Sequence, residues 1–157
     1  MSYRAMSIRT ALASLIIGMF VSCGTGPLLP EDGRYRQPEN YNFKFIGYDA
    51  NITNPENDRR SYYRVFIDKI EVGRTTIGLE SQDKYFEAKI QPNRHLLVVE
   101  KWVLDEKSEK YVKLNNIHQP RPNFIYFGLP EKRIVVVTLK NDALQGRASF
   151  EIDYEHE

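Results

Sequence analysis

The chain holds a single cysteine and three histidines in 157 residues. One thiol cannot close an internal disulfide, and His95, His118 and His156 lack the ligand spacing of a zinc site. Charge of one sign is equally scarce. The 22 Lys+Arg and 21 Asp+Glu leave a net +1, which argues against the clustered basic surface that nucleic-acid binding needs. No G-x-S-x-G elbow is present, so hydrolase chemistry of that kind has no support. Gly24-Thr25-Gly26 lacks the rest of a phosphate-cradling loop. Asp105-Glu106, with Glu109 nearby, reads as a solvated turn, since an acid/base pair needs burial to separate its two pKa values. No segment carries a helical apolar stripe. With no catalytic grouping, no metal set and no cofactor motif, the chain is expected not to be an enzyme.

What is present begins at the N-terminus. Arg4 and Arg9 precede Ala11–Ser22 (ALASLIIGMFVS), twelve residues without a charge. A basic start, a short apolar run and small residues near its end describe a signal peptide. The run is well short of the ~20 residues that span a bilayer. Phe20-Val21-Ser22-Cys23-Gly24 then resembles the lipobox of bacterial lipoproteins, in its relaxed spirochaete-like form with Phe20 where leucine is usual. The resemblance implies cleavage after residue 22 and lipidation of Cys23 as the mature N-terminus. A single acyl chain holds only marginally, whereas the diacylglyceryl group of such lipoproteins, often with an added N-acyl chain, anchors durably. Gly24 is not the acidic residue that retains enterobacterial lipoproteins at the inner membrane, so the outer membrane is the expected address. Whether the body faces the periplasm or the cell surface stays open.

Residues 23–40 follow as a Gly/Pro-rich linker without periodicity, able to reach roughly 55 Å at ~3.3 Å per residue. From 41 to 157 the pattern is strands. In Arg147–Tyr154 the residues Ala148, Phe150, Ile152 and Tyr154 alternate with Arg147, Ser149, Glu151 and Asp153, the period of a half-buried strand. Ile134–Leu139 is a continuous β-branched run suited to a central strand, and the two segments should form a hairpin. Further strands are expected at Asn42–Tyr48, Tyr63–Asp68, Tyr85–Ile90, Leu96–Leu104, Tyr111–Leu114 and Phe124–Phe127, with Asn51–Ser61 a polar loop. The fold class is therefore all-β, an antiparallel sandwich of about seven or eight strands. The expected core is Phe43 or Ile46, with Val65, Ile67, Phe86, Ile90, Val99, Val135, Val137, Phe150 and Ile152.

Val65-Phe66-Ile67-Asp68 followed by Val72-Gly73-Arg74-Thr75, with the later Pro92-Asn93-Arg94-His95 turn and Leu96–Val99, resembles a PEGA-type module. These are small β-sandwich repeats of bacterial envelope proteins, and the likeness covers about residues 63–104. It implies a sandwich in an envelope setting and transfers no catalytic residue. In this reading Val65 and Ile67 point inward, Asp68 opens a turn, Val72 returns the chain to the core and Gly73 supplies backbone freedom at the next reversal.

The remaining signal is aromatic: Tyr62, Tyr63, Tyr85, Trp102, Tyr111, Tyr126 and Tyr154 are many large rings for one small sandwich. Some must pack in the core or on its edges. Rings left on one face would suit a glycan or a protein partner. Trp102 shares its strand face with Glu100 and Val98, and Arg121 tips a loop, 118–123, stiffened by two prolines. The candidate sites are thus Cys23 for lipid attachment and Trp102, Tyr111, Arg121 and Tyr126 for a binding surface. Two functions follow. One is a lipid-anchored envelope lipoprotein whose sandwich is a non-catalytic structural or protein-interaction module. The alternative is a carbohydrate or small-ligand binding domain that uses the exposed aromatics. Neither involves nucleic acid, a metal or a cofactor.

Overall fold

The computed structural model describes residues 40–156, so the signal segment, Cys23 and the linker up to residue 39 lie outside the described residues. Within them the chain forms ten strands and one 3-10 turn at Pro55–Asn57. The strands are β1 Phe43–Ala50, β2 Arg60–Ile67, β3 Ile70–Arg74, β4 Gly78–Leu79, β5 Lys84–Ala88, β6 Arg94–Asp105, β7 Lys110–Lys113, β8 Phe124–Gly128, β9 Arg133–Asp142 and β10 Arg147–His156.

They make two sheets packed as a sandwich. The first runs β10-β9-β1-β5; the second runs β3-β2-β6-β7, with β4 on β2 and β8 on β6. The all-β sandwich is the expected fold, and each expected strand is found. The two additional strands, β3 and β4, are short edge pieces on which alternation has little length to develop. The expected β9–β10 hairpin forms, with Arg147 opposite Asp142. One pairing departs from the antiparallel expectation: β1 lies parallel to β9, Phe43 beside Val135. Partners this far apart in sequence leave no local trace.

Strict alternation builds the core. Phe43 and Phe45 on β1, Tyr63, Val65 and Ile67 on β2, Leu97 and Val99 on β6, and Val135, Val137 and Leu139 on β9 are buried in one cluster. Phe43 stacks on Phe127 with centroids 5.2 Å apart, joining the sheets. Of the expected core, Ile90, Phe150 and Ile152 pack against this cluster half-buried, because β10 is an edge strand and Ile90 lies just beyond β5.

The turn at Asp68-Lys69 has φ of 51° and 72°, the two positive values that a two-residue type I′ hairpin needs. Asp68 Oδ1 accepts from Leu96 N at 2.9 Å, and Oδ2 meets His95 Nδ1 at 2.7 Å. His95 therefore secures this turn. Val72 does not return to the core as expected. Val65 pairs with Gly73 and Phe66 with Glu71, so Val72 is the extra residue of a β-bulge and stands 38% exposed. The bulge presses Gly73 (φ +156°) against Phe86, where a Cβ would sit 2.5 Å from the ring.

Candidate functional site: a charged cleft floor and an arginine-laced aromatic face

The period that makes β1 and β6 half-buried strands also carries charge inside. On β1 the inward series is Phe43, Phe45, Gly47, Asp49; on β6 it is His95, Leu97, Val99, Lys101, Val103. Asp49 and Lys101 thus meet between the sheets at one end of the sandwich, both buried. Lys101 Nζ pairs with Asp49 Oδ2 and, at 2.6 Å, with Glu80 Oε1. Asp49 also accepts the Tyr63 hydroxyl at 2.9 Å and the Asn141 amide at 3.1 Å. Gly47 makes that reach possible, since a Cβ there would lie 2.7 Å from the Tyr63 ring. Glu80 accepts from Arg59 through its backbone N–H, Nε and Nη2 at 3.2–3.3 Å.

Each charge in the network is answered. Burial pulls the Glu80 carboxyl upward, but the Lys101 and Arg59 cations outweigh it and hold it below its ordinary value. Burial, with the Asp49 charge beside it, pushes the Tyr63 phenol well up. Lys84, fully enclosed, donates to the carbonyls of Leu79, Glu80 and Gln82 at 2.7–3.0 Å, the full donor count of an ammonium. Burial still brings it down to about 8.

Above this floor three connections converge: β1–β2, β7–β8 and β9–β10. They enclose an open cleft of about 420 Å³ with Asp49, Glu80, Lys101 and Asn141 at its base, within the ~300–1,000 Å³ range of small-molecule sites. The residues that shape it were not among the sequence-derived candidates. Lys101 was visible as the charged member between Val99 and Val103 on the face opposite Trp102; Glu80, beside a two-residue strand, left no such signal.

The other face of β6 carries the aromatic candidates. Tyr62 and Trp102 are cross-strand partners, with rings 6.1 Å apart and 11° between their planes. Tyr111 meets Tyr62 edge-on at 5.1 Å. Arginines lie over the rings: Arg64 over Trp102 at 5.3 Å and Phe66 at 5.9 Å, Arg74 over Tyr62 at 5.3 Å, Arg94 over Tyr126 at 5.2 Å. Arg64 is held by Glu71, and Lys113 pairs with Glu100. Arg74 and Arg94 have no ion pair among the described residues.

The structure brings Trp102 and Tyr111 together and separates them from Tyr126. Tyr126 pairs with Leu96, six positions along β6 from Trp102, or about 20 Å at ~3.3 Å per residue. Tyr126 and its neighbour Phe124 are the open end, at 55% and 50% exposure. Trp102 is half-buried under Arg64, and its Nε1 has no hydrogen-bond partner among the described residues. Arg121 stands beside this cluster, donating to the Asn116 carbonyl and bordering a shallow recess with Glu100 and Lys113. Cys23 lies outside the described residues.

The chain matches no family model, and neither the curated proteins nor the solved structures give a match. Among the described residues no His/Cys/Asp/Glu group could hold a metal ion, and no helix is long and apolar enough to cross a membrane.

Proposed function

We propose that the chain is a lipid-anchored envelope lipoprotein, tethered by lipidated Cys23 at the outer membrane, whose PEGA-like sandwich is a non-catalytic protein-interaction module. The observation that carries the interaction reading is the outer face of the six-stranded sheet. Rings and arginines alternate along it, with Tyr126 and Phe124 open at one end. Cation–π contacts of this kind are each worth about 0.5–1 kcal/mol at exposed sites and strengthen when a partner removes water. Arg64, Arg74, Arg94 and Lys113 outnumber Glu71 and Glu100, so a partner with an acidic, partly apolar surface is the complement. The lipobox-like sequence at Phe20–Gly24 supports the anchor.

Two measurements test the parts separately. A palmitate analogue should label the wild type and not Cys23→Ala; a labelled Cys23→Ala chain defeats the anchor. A photo-crosslinking residue at Tyr126 should capture one partner in intact cells, and Arg94→Glu should abolish that product. The same residue at Lys140, on the outer face of the other sheet, should capture nothing. Equal yields from the two faces would end the interaction reading.

A further inference from the structure

We propose that the cleft at the loop end of the sandwich is a second binding site, independent of the aromatic face, and that it takes a neutral sugar unit. The charges at its base cancel internally: Lys101 sits between Asp49 and Glu80, and Arg59 completes Glu80. An anionic ligand would lose its hydration there without meeting an unmatched cation. On the wall, the Asp142 carboxylate already accepts from the Asn51 amide and from the N–H groups of Leu144 and Gln145, each at 2.9 Å.

The groups left over are uncharged and two-sided. Thr53, Asn57 and His118 line the cleft, and their side chains have no hydrogen-bond partner among the described residues. A hydroxyl, an amide and an imidazole each both donate and accept, as sugar hydroxyls do. Ile117 and Leu144 stand at the lip, 71% and 67% exposed. They offer an apolar edge for the C–H face of a pyranose ring. A cleft with a few convergent polar groups and an apolar border is the usual form of a small-ligand site. Its floor is rigid because every group in it is locked by an ion pair or hydrogen bond, so little ordering cost falls on binding.

The test uses the full chain, purified in detergent and labelled with nitrogen-15. The methyl glycosides of glucose, galactose, mannose and N-acetylglucosamine are titrated singly to ~50 mM, since a single sugar unit in such a site binds with Kd on the order of 1 mM. At least one should shift backbone amides confined to 51–57, 114–119 and 141–146. The double variant Asn57→Ala/His118→Ala, at exposed rim positions, should weaken that glycoside at least tenfold while leaving amides elsewhere in place. Trp102→Ala should change it by less than twofold. The proposal is overturned if no glycoside shifts the cleft, if the rim variant binds as well as wild type, if Trp102→Ala abolishes binding, or if sodium acetate or phosphate produces the same shifts at lower concentration. None of these outcomes bears on cross-linking at Tyr126, so the two readings fail separately.

Discussion

Lys101→Met removes the cation that lies between Asp49 and Glu80 while keeping an unbranched side chain of similar length. Asp49 then retains the Tyr63 hydroxyl and the Asn141 amide, and Glu80 retains Arg59. Breaking a buried pair by deleting one partner costs roughly 3–5 kcal/mol. The surviving partners and the buried methionine place the expected loss at the lower end, about 3 kcal/mol. With a urea slope near ~1.5 kcal/mol/M, the midpoint should fall by about 2 M. The loss should depend on pH. In the wild type the Glu80 carboxyl sits below its ordinary value of 4.5, so its stabilisation is present above that value and is lost as pH falls through the folded pKa. In the variant one of the two carboxylates can take up a proton at little cost. The two unfolding curves should therefore be furthest apart at neutral pH and converge below about pH 4. Adding Glu80→Gln to Lys101→Met should recover part of the loss at pH 7. A loss below about 1 kcal/mol, or one that stays constant from pH 7 to 3, would refute the idea that the network is held by compensated charge.

Lys84 gives an alkaline counterpart. Its folded pKa of about 8 lies below the ordinary 10.5, so the native state binds fewer protons there and stability gains up to about 3 kcal/mol as pH rises between those values. Urea midpoints of wild type should climb relative to Lys84→Met from pH 8 to 10. Beyond pH 10 the raised Tyr63 phenol, whose contribution is lost as pH rises above its ordinary value, should lower the midpoints of both proteins alike and leave their difference level. A flat difference between the two proteins from pH 8 to 10 would contradict the burial of Lys84. At the bulge, Gly73→Ala should cost about 1–3 kcal/mol because its Cβ overlaps the Phe86 ring. Phe86→Leu should partly rescue it in a thermal melt, and a Gly73→Ala protein as stable as wild type would exclude that contact.

The sandwich was legible because long strands write their period into the chain. β10 alternates polar and apolar residues from Arg147 to Tyr154, so its faces could be assigned from polarity alone. β6 alternates in burial but sets like beside like, as in Leu96-Leu97, Val98-Val99 and Glu100-Lys101, and shows only that it is a strand. The bulge was not legible, since one extra residue at Val72 shifts the phase and the motif around it still suggested an inward valine. Neither was the parallel placement of β1, which depends on pairing between opposite ends of the body. The binding surface was half legible. Trp102 and Tyr111 do share a face, but the ring that joins them, Tyr62, comes from a different strand, and sequence order says nothing of the distance to Tyr126. The cleft was the least legible part. Its floor draws single residues from β1, β6, β9 and the turn after β4, and its walls are polar connections whose composition signals only exposure. Lys101 is the exception, because the parity that placed Trp102 outward placed its neighbour inward.

The parallel seating of β1 against β9 also constrains how the body can come into being. The first of the described strands is wedged between β5 and β9, the ninth of the ten. A nascent body ending before residue 133 could pair β1 on one side only, leaving Phe43 and Phe45 without the valines of β9 beside them. Closure of the first sheet therefore waits until residues 133–142 have been made. Such distant partners slow the search for the native arrangement, and the unfinished chain keeps an open, aggregation-prone margin until then. The edge of β1 that β9 comes to cover is thus the margin most in need of shielding while the chain is incomplete.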